Sequence, residues 1–81
     1  MKSTEYFKAI RSRLDRRIIT NAWIELVMAN PISQTVQKDG RIRRWGRIPE
    51  MDNRVLRVVL LADGETVHNA FFDRTFREAT K

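Results

Sequence analysis

Apolar positions along the 81-residue chain change period once, near Pro31. Before it they recur at helical spacing. Tyr6, Phe7, Ile10 and Leu14 stand at i, i+1, i+4 and i+8, which predicts a first helix over residues 4–16 with Ser3 as its cap. A short extended piece at Tyr6-Phe7 is the competing reading. Thr20 suits the N-cap of a second helix, residues 20–30, whose inner face carries Trp23, Ile24, Val27 and Met28 while Glu25 and Asn30 face water. Pro31 ends it, because the residue before a proline is disfavoured in the helical conformation.

Beyond Pro31 the pattern is that of strands, over residues 32–38, 41–48, 54–62 and 65–72. Asp39-Gly40 and Asp63-Gly64 read as two-residue turns, Pro49 to Asn53 as a polar loop, and residues 73–80 as a tail with a helical turn at most. The predicted fold is α+β, a single domain spanning 1–81, with two N-terminal helices packed on a four-stranded antiparallel meander.

Turn length decides which side chains share a face. A two-residue Asp63-Gly64 turn pairs Ala62 with Glu65, Leu60 with Val67, Val58 with Asn69, Leu56 with Phe71, and Arg54 with Asp73 as a cross-strand ion pair. The other face then sets Val59 opposite His68 and Arg57 opposite Ala70, so Arg57 and His68 become diagonal neighbours about 7–8 Å apart. If Ile48 pairs with Arg54, Trp45 falls opposite Arg57, Arg43 opposite Val59, and Ile42 joins Leu60 on the core side. Arg43, Trp45, Arg47, Arg57 and His68 would then lie on one face, with Val36, Val55, Leu61 and Phe72 among them. A one-residue slip sends the second strand's set to the opposite side.

Charge sharpens this picture. The formal net charge is +6, arginine outnumbers lysine twelve to four, and the segments 8–17 and 41–57 each carry a net +4. The planar guanidinium fork favours bidentate phosphate contacts and stacking, so RNA is the expected partner, with an acidic protein as the alternative. No cysteine is present, which excludes disulfides and thiolate metal sites and fits a cytoplasmic setting. No apolar run approaches the roughly 18 residues of a membrane span, and charges break up Tyr6-Phe7 and Ile10 where a signal peptide would be apolar. A chain this short buries a modest core, which leaves room for a homodimer.

His68 is the only histidine. Alone it cannot build a metal site, no carboxylates stand at ligand spacing, and neither metal nor cofactor is expected. A phosphate-binding glycine loop and a hydrolase triad are also missing from the pattern. RNA cleavage without a metal needs a base for the 2′-hydroxyl, an acid for the leaving oxygen and a cation for the phosphorane. Arg57 and His68 are the candidate catalytic pair. Arg43, Arg47 and Arg74 are candidates for flanking phosphates, Trp45 for a base-stacking platform, and Tyr6 for an extra acid if the first helix reaches the sheet. Each has a plainer alternative: a hydrogen-bonded sheet histidine, solvated surface arginines, a core tryptophan, and a salt-bridge hub at Asp73-Arg74.

Trp23-Ile24 through Asn30-Pro31, Asp39-Gly40-Arg41-Ile42-Arg43, Leu56-Arg57-Val58-Val59 through Asp63-Gly64, and Val67-His68-Asn69-Ala70-Phe71-Phe72-Asp73-Arg74 resemble a family of short, largely uncharacterised bacterial and cyanobacterial proteins. The likeness covers residues 20–76. Element order, size and charge are also similar to domains allied to the BrnT and RelE-like toxins. That resemblance implies a compact α+β ribonuclease paired with an antitoxin, here an acidic protein, with Arg57 and His68 matching the catalytic residues in kind and rough position. The rival expectation is a non-catalytic module that docks a protein through its Arg/Trp face.

Overall fold

The computed structural model describes residues 1–77. Three helices, α1 (Glu5–Ile10), α2 (Leu14–Arg17) and α3 (Asn21–Ala29), precede four strands, β1 (Ser33–Val36), β2 (Ile42–Ile48), β3 (Arg54–Leu60) and β4 (Val67–Phe72). The strands form one antiparallel sheet in the order β1-β2-β3-β4. The class is α+β, and the helices cover one face of the sheet.

The expected first helix is two helices. Thr4, not Ser3, is the cap of α1, its Oγ1 accepting from the Phe7 N–H at 3.1 Å. Ser3 instead forms a parallel bridge to Val67, so the early extended piece lies just ahead of Tyr6-Phe7 and lines the outer edge of β4. Arg13 is extended, which breaks the helix and turns the chain so that Ile19 enters the core. Arg11 holds this corner by donating to the Asn21 Oδ1 and to the Ile19 carbonyl. Leu14, expected on the buried stripe, is 78% exposed as a result.

Helix α3 follows its spacing. Thr20 caps it, Ile24 and Val27 are buried, and Trp23 and Met28 pack half-buried beside them. At its C-terminal end the Arg44 guanidinium donates to the Met28 carbonyl at 2.9 Å, meeting one of the acceptors a helix end leaves open. The helix rests on β2 at Gly46, where an added Cβ would lie 2.9 Å from the Val27 Cγ2. The core joins Phe7, Ile10 and Ile19 to Ile24, Val27, Ile48, Leu56, Val58, Leu60, Val67 and Ala70.

The β2–β3 register runs from Ile48↔Arg54 through Trp45↔Arg57 and Arg43↔Val59 to Ile42↔Leu60, as the alternation predicts. The loop between them is a 3₁₀ turn at Pro49–Met51, followed by Asp52 and Asn53 in the left-handed region. The other two hairpins differ from expectation by one residue each. In β1–β2, Gln37 pairs with Arg41 across a three-residue turn, Lys38-Asp39-Gly40, with Gly40 at φ 91°. Val36 therefore pairs with Ile42 and moves to the helix side of the sheet, where it is 65% exposed.

In β3–β4, Leu60 pairs with Val67 as expected, but the next pair is Val59 with Asn69. His68 is the extra residue of a β-bulge. Every pair beyond it slips by one, giving Val58↔Ala70, Arg57↔Phe71 and Leu56↔Phe72. Ala70 rather than Asn69 is thereby buried against Val58, and Phe72 rather than Phe71 joins the core side. The physical cause is the cost of sinking an amide in an apolar layer, which the bulge avoids. The Arg54–Asp73 ion pair does not form, and the Arg54 guanidinium instead lies 4.3 Å over the Phe72 ring. No helix of the described residues is long and apolar enough to cross a membrane.

Candidate functional site

The bulge keeps two consecutive side chains, His68 and Asn69, on the face away from the helices. There they border an open concavity of about 440 Å³ together with Arg41, Arg43, Arg57 and Tyr6. Thus Arg57 and His68, the sequence-selected catalytic pair, reach one concavity by a register the sequence did not predict. Arg43 joins them. With the Gln37 amide turned to present its oxygen, the Arg43 Nε donates to it at 3.1 Å, so the three-residue turn that moved Val36 also set Gln37 beside this site.

His68 is held on two sides. Its Nδ1 lies 3.0 Å from the Thr4 Oγ1, and the Tyr6 ring stacks on it with centroids 5.0 Å apart. Thr4 Oγ1 already accepts from Phe7, and its remaining lone pair can take an Nδ1–H, which leaves Nε2 as the open nitrogen; in the other tautomer Thr4 donates instead. Burial lowers the His68 pKa below the ordinary imidazole value, and the nearby Arg41 charge adds to this against the opposing Asp39. Near neutral pH the ring is therefore uncharged. Tyr6, half-exposed on α1, does reach the sheet.

Arg57 is more constrained than a surface arginine. Its guanidinium carbon lies 5.5 Å from the Trp45 ring centre and 5.2 Å from that of Phe71, and NH1 is 3.7 Å from the Asp73 Oδ2. Its Nε is buried with no acceptor. Desolvation and the Arg43 charge lower its pKa, with Asp73 opposing, yet a guanidinium stays charged at physiological pH.

Asp73 is the hub at the strand end. Oδ2 accepts from the Trp45 Nε1 at 2.9 Å, and Oδ1 accepts from the Thr75 N–H and hydroxyl. Burial pushes its pKa up, but the Trp45 and Thr75 hydrogen bonds and the Arg57 charge together hold it below the usual carboxylate value. Arg74, proposed beside it in the hub, is exposed and takes no part in these bonds.

Two sequence-selected residues lie elsewhere and one is sealed. Arg47 and Arg74 border a separate concavity of about 330 Å³ at the Asp73 end of the sheet. Trp45 is on the expected face but only 7% exposed, with Phe76 stacked on it at 5.3 Å, so it is not an open platform for a base. The exposed aromatic ring at the site is Tyr6. Arg41 and Asn69 were not selected from the sequence. Arg41 was within reach, standing two residues before Arg43 on the same strand face, whereas Asn69 arrives only through the bulge.

No protein-family model, curated protein or solved structure matches this chain.

Proposed function

We propose that this protein binds RNA on the outer face of its sheet and cleaves it without a metal, as a toxin-like component whose natural restraint is an acidic antitoxin-like protein. The observation that carries this reading is the convergence of Arg41, Arg43 and Arg57 with His68 and Tyr6 on one open concavity. Guanidinium forks suit a phosphodiester, and an uncharged imidazole suits a proton acceptor.

With its Nδ1–H on Thr4, His68 Nε2 would take the proton of a 2′-hydroxyl. The freed oxygen attacks the adjacent phosphorus, the P–O5′ bond breaks, and the Tyr6 hydroxyl supplies the proton for the departing 5′-oxygen. Products would be a 2′,3′-cyclic phosphate and a 5′-hydroxyl. Arg43 and Arg57 would offset the charge of the phosphorane. The rival reading, a protein-docking face anchored by arginine and tryptophan, is weakened because Trp45 is covered by Phe76.

Cleavage of a labelled single-stranded RNA in excess EDTA tests the proposal. Cyclic-phosphate ends are expected, with at least a hundredfold loss of rate in His68→Asn, the scale of one proton-transfer group. Arg43→Ala should weaken RNA binding and lower the salt slope by about 0.7. A native protein that neither binds nor cuts RNA refutes the proposal; binding without cutting refutes its catalytic half.

A further inference from the structure

On the far side of the Phe71 ring lies a second cationic concavity of about 410 Å³. Arg16, Arg54 and Arg74 border it against one carboxylate, Asp15, which is already paired with Arg16. Arg54 and Arg74 are exposed, and no described carboxylate lies within ion-pair distance of either.

Phe71 borders both concavities and carries a guanidinium from each. Arg16 and Arg57 each place their central carbon 5.2 Å from its ring centre, so the two lie no more than twice that distance apart. Both retain a buried Nε without an acceptor. An extended strand covers such a span in one or two nucleotide steps. The cationic track also turns a corner, from Phe71 on the outer face to Phe72 and Arg54 on the helix side. A flexible single strand can follow it, whereas a stiff duplex cannot.

We infer that one single RNA strand crosses the Phe71 ridge, with a phosphate among Arg43, Arg57 and His68 and a second phosphate held by Arg16, Arg54 and Arg74. This rests on the RNA reading above and adds to it a substrate class: unpaired RNA long enough to occupy both sides of the ridge.

The test uses fully 2′-O-methylated oligouridylates of two and ten nucleotides, with one phosphodiester and nine, which bind but cannot be cut, with affinity followed against salt by fluorescence anisotropy. The ten-mer should have a log–log slope steeper than the dinucleotide by about 0.7, the increment for one further phosphate neutralised. Arg54→Ser with Arg74→Ser should remove that difference and leave dinucleotide affinity unchanged. Arg74→Ser alone, at an exposed site without a stacking role, should remove part of it and covers the case in which loss of the Arg54–Phe72 stack unfolds the double variant. An unchanged ten-mer slope in folded variants overturns the second site while the first stands. Failure of both oligomers to bind native protein overturns both. Tighter binding of polyglutamate than of the ten-mer, lost in the same variants, overturns the inference in favour of an acidic protein.

Discussion

Replacing Gly46 with alanine sets two opposed effects against each other. Alanine in a strand interior gains about 0.5–1 kcal/mol over glycine by restricting the unfolded chain. Against that, the new Cβ would stand 2.9 Å from the Val27 Cγ2 and 3.5 Å from the Val27 Cα. Valine on a helix has one strongly preferred rotamer, so the methyl cannot swing away, and the backbone of α3 must move. Overpacking of this kind costs about 1–3 kcal/mol. The net expectation is a loss of roughly 0.5–2 kcal/mol, or about 2–16 °C in Tm for a domain of this size.

Val27→Ala removes the obstructing methyl and costs roughly 1–3 kcal/mol by itself, as a buried side chain leaving a small cavity. The double variant should be less destabilised than the sum of the two, with a coupling of about 0.5–3 kcal/mol in the stabilising direction. Urea denaturation of all four proteins measures this directly. A Gly46→Ala protein at least as stable as the parent, or strictly additive single changes, would refute the close helix–sheet approach.

Three further outcomes follow from the titrating and hub groups. The folded-state pKa of His68 is depressed, so an unfolded chain takes up the proton first; stability is full above about pH 6.5 and declines on acidification towards the lower folded value. As the only histidine, it should account for this pH limb, and melting of His68→Asn across pH 5–8 should lack it. Asp73→Ala strands the Trp45 N–H and the Arg57 charge and should cost about 1–3 kcal/mol, while Asp73→Asn, which keeps an acceptor for Trp45, should cost less in the same melt. Asp63, with a pKa lowered to about 2 chiefly by the Thr66 hydroxyl and then by backbone N–H groups, stabilises the fold above about pH 4 and loses that contribution as pH falls through 2. Acid titration of Asp63→Ala should show a flatter decline over that window; an unaltered one would discount the turn as its source.

The β2–β3 pairing was legible because a five-residue loop starting at Pro49 joins the strands and sets Ile42 and Ile48 on the same side as Leu56, Val58 and Leu60. A slip there would have sent Ile42 and Ile48 to the outer face and turned Arg43, Trp45 and Arg47 towards the helices. The β4 bulge was not read, although it leaves a mark: Val67 and Ala70 are the buried positions, three apart, with two polar residues between. A strand keeps period two only if no residue is added, so that spacing already contradicts a regular strand. Helix periodicity misled at Leu14, because a stripe of apolar positions does not reveal where the chain must turn to deliver Ile19. Trp45 is buried, as a core tryptophan would be, but on the outer face and beneath Phe76, a tail contact remote in sequence.

The sheet has two flanks of unequal character. Lys2 to Thr4 hydrogen-bond along β4 at Val67, and α1 and α2 also pack against that strand. Ser33–Val36 has a neighbour on one side only among the described residues. Backbone association between copies could therefore begin at β1 but would meet an occupied margin at the other end. Such growth would stop at a pair, because the segment that carries Thr4 to the imidazole also occupies the β4 margin at Val67.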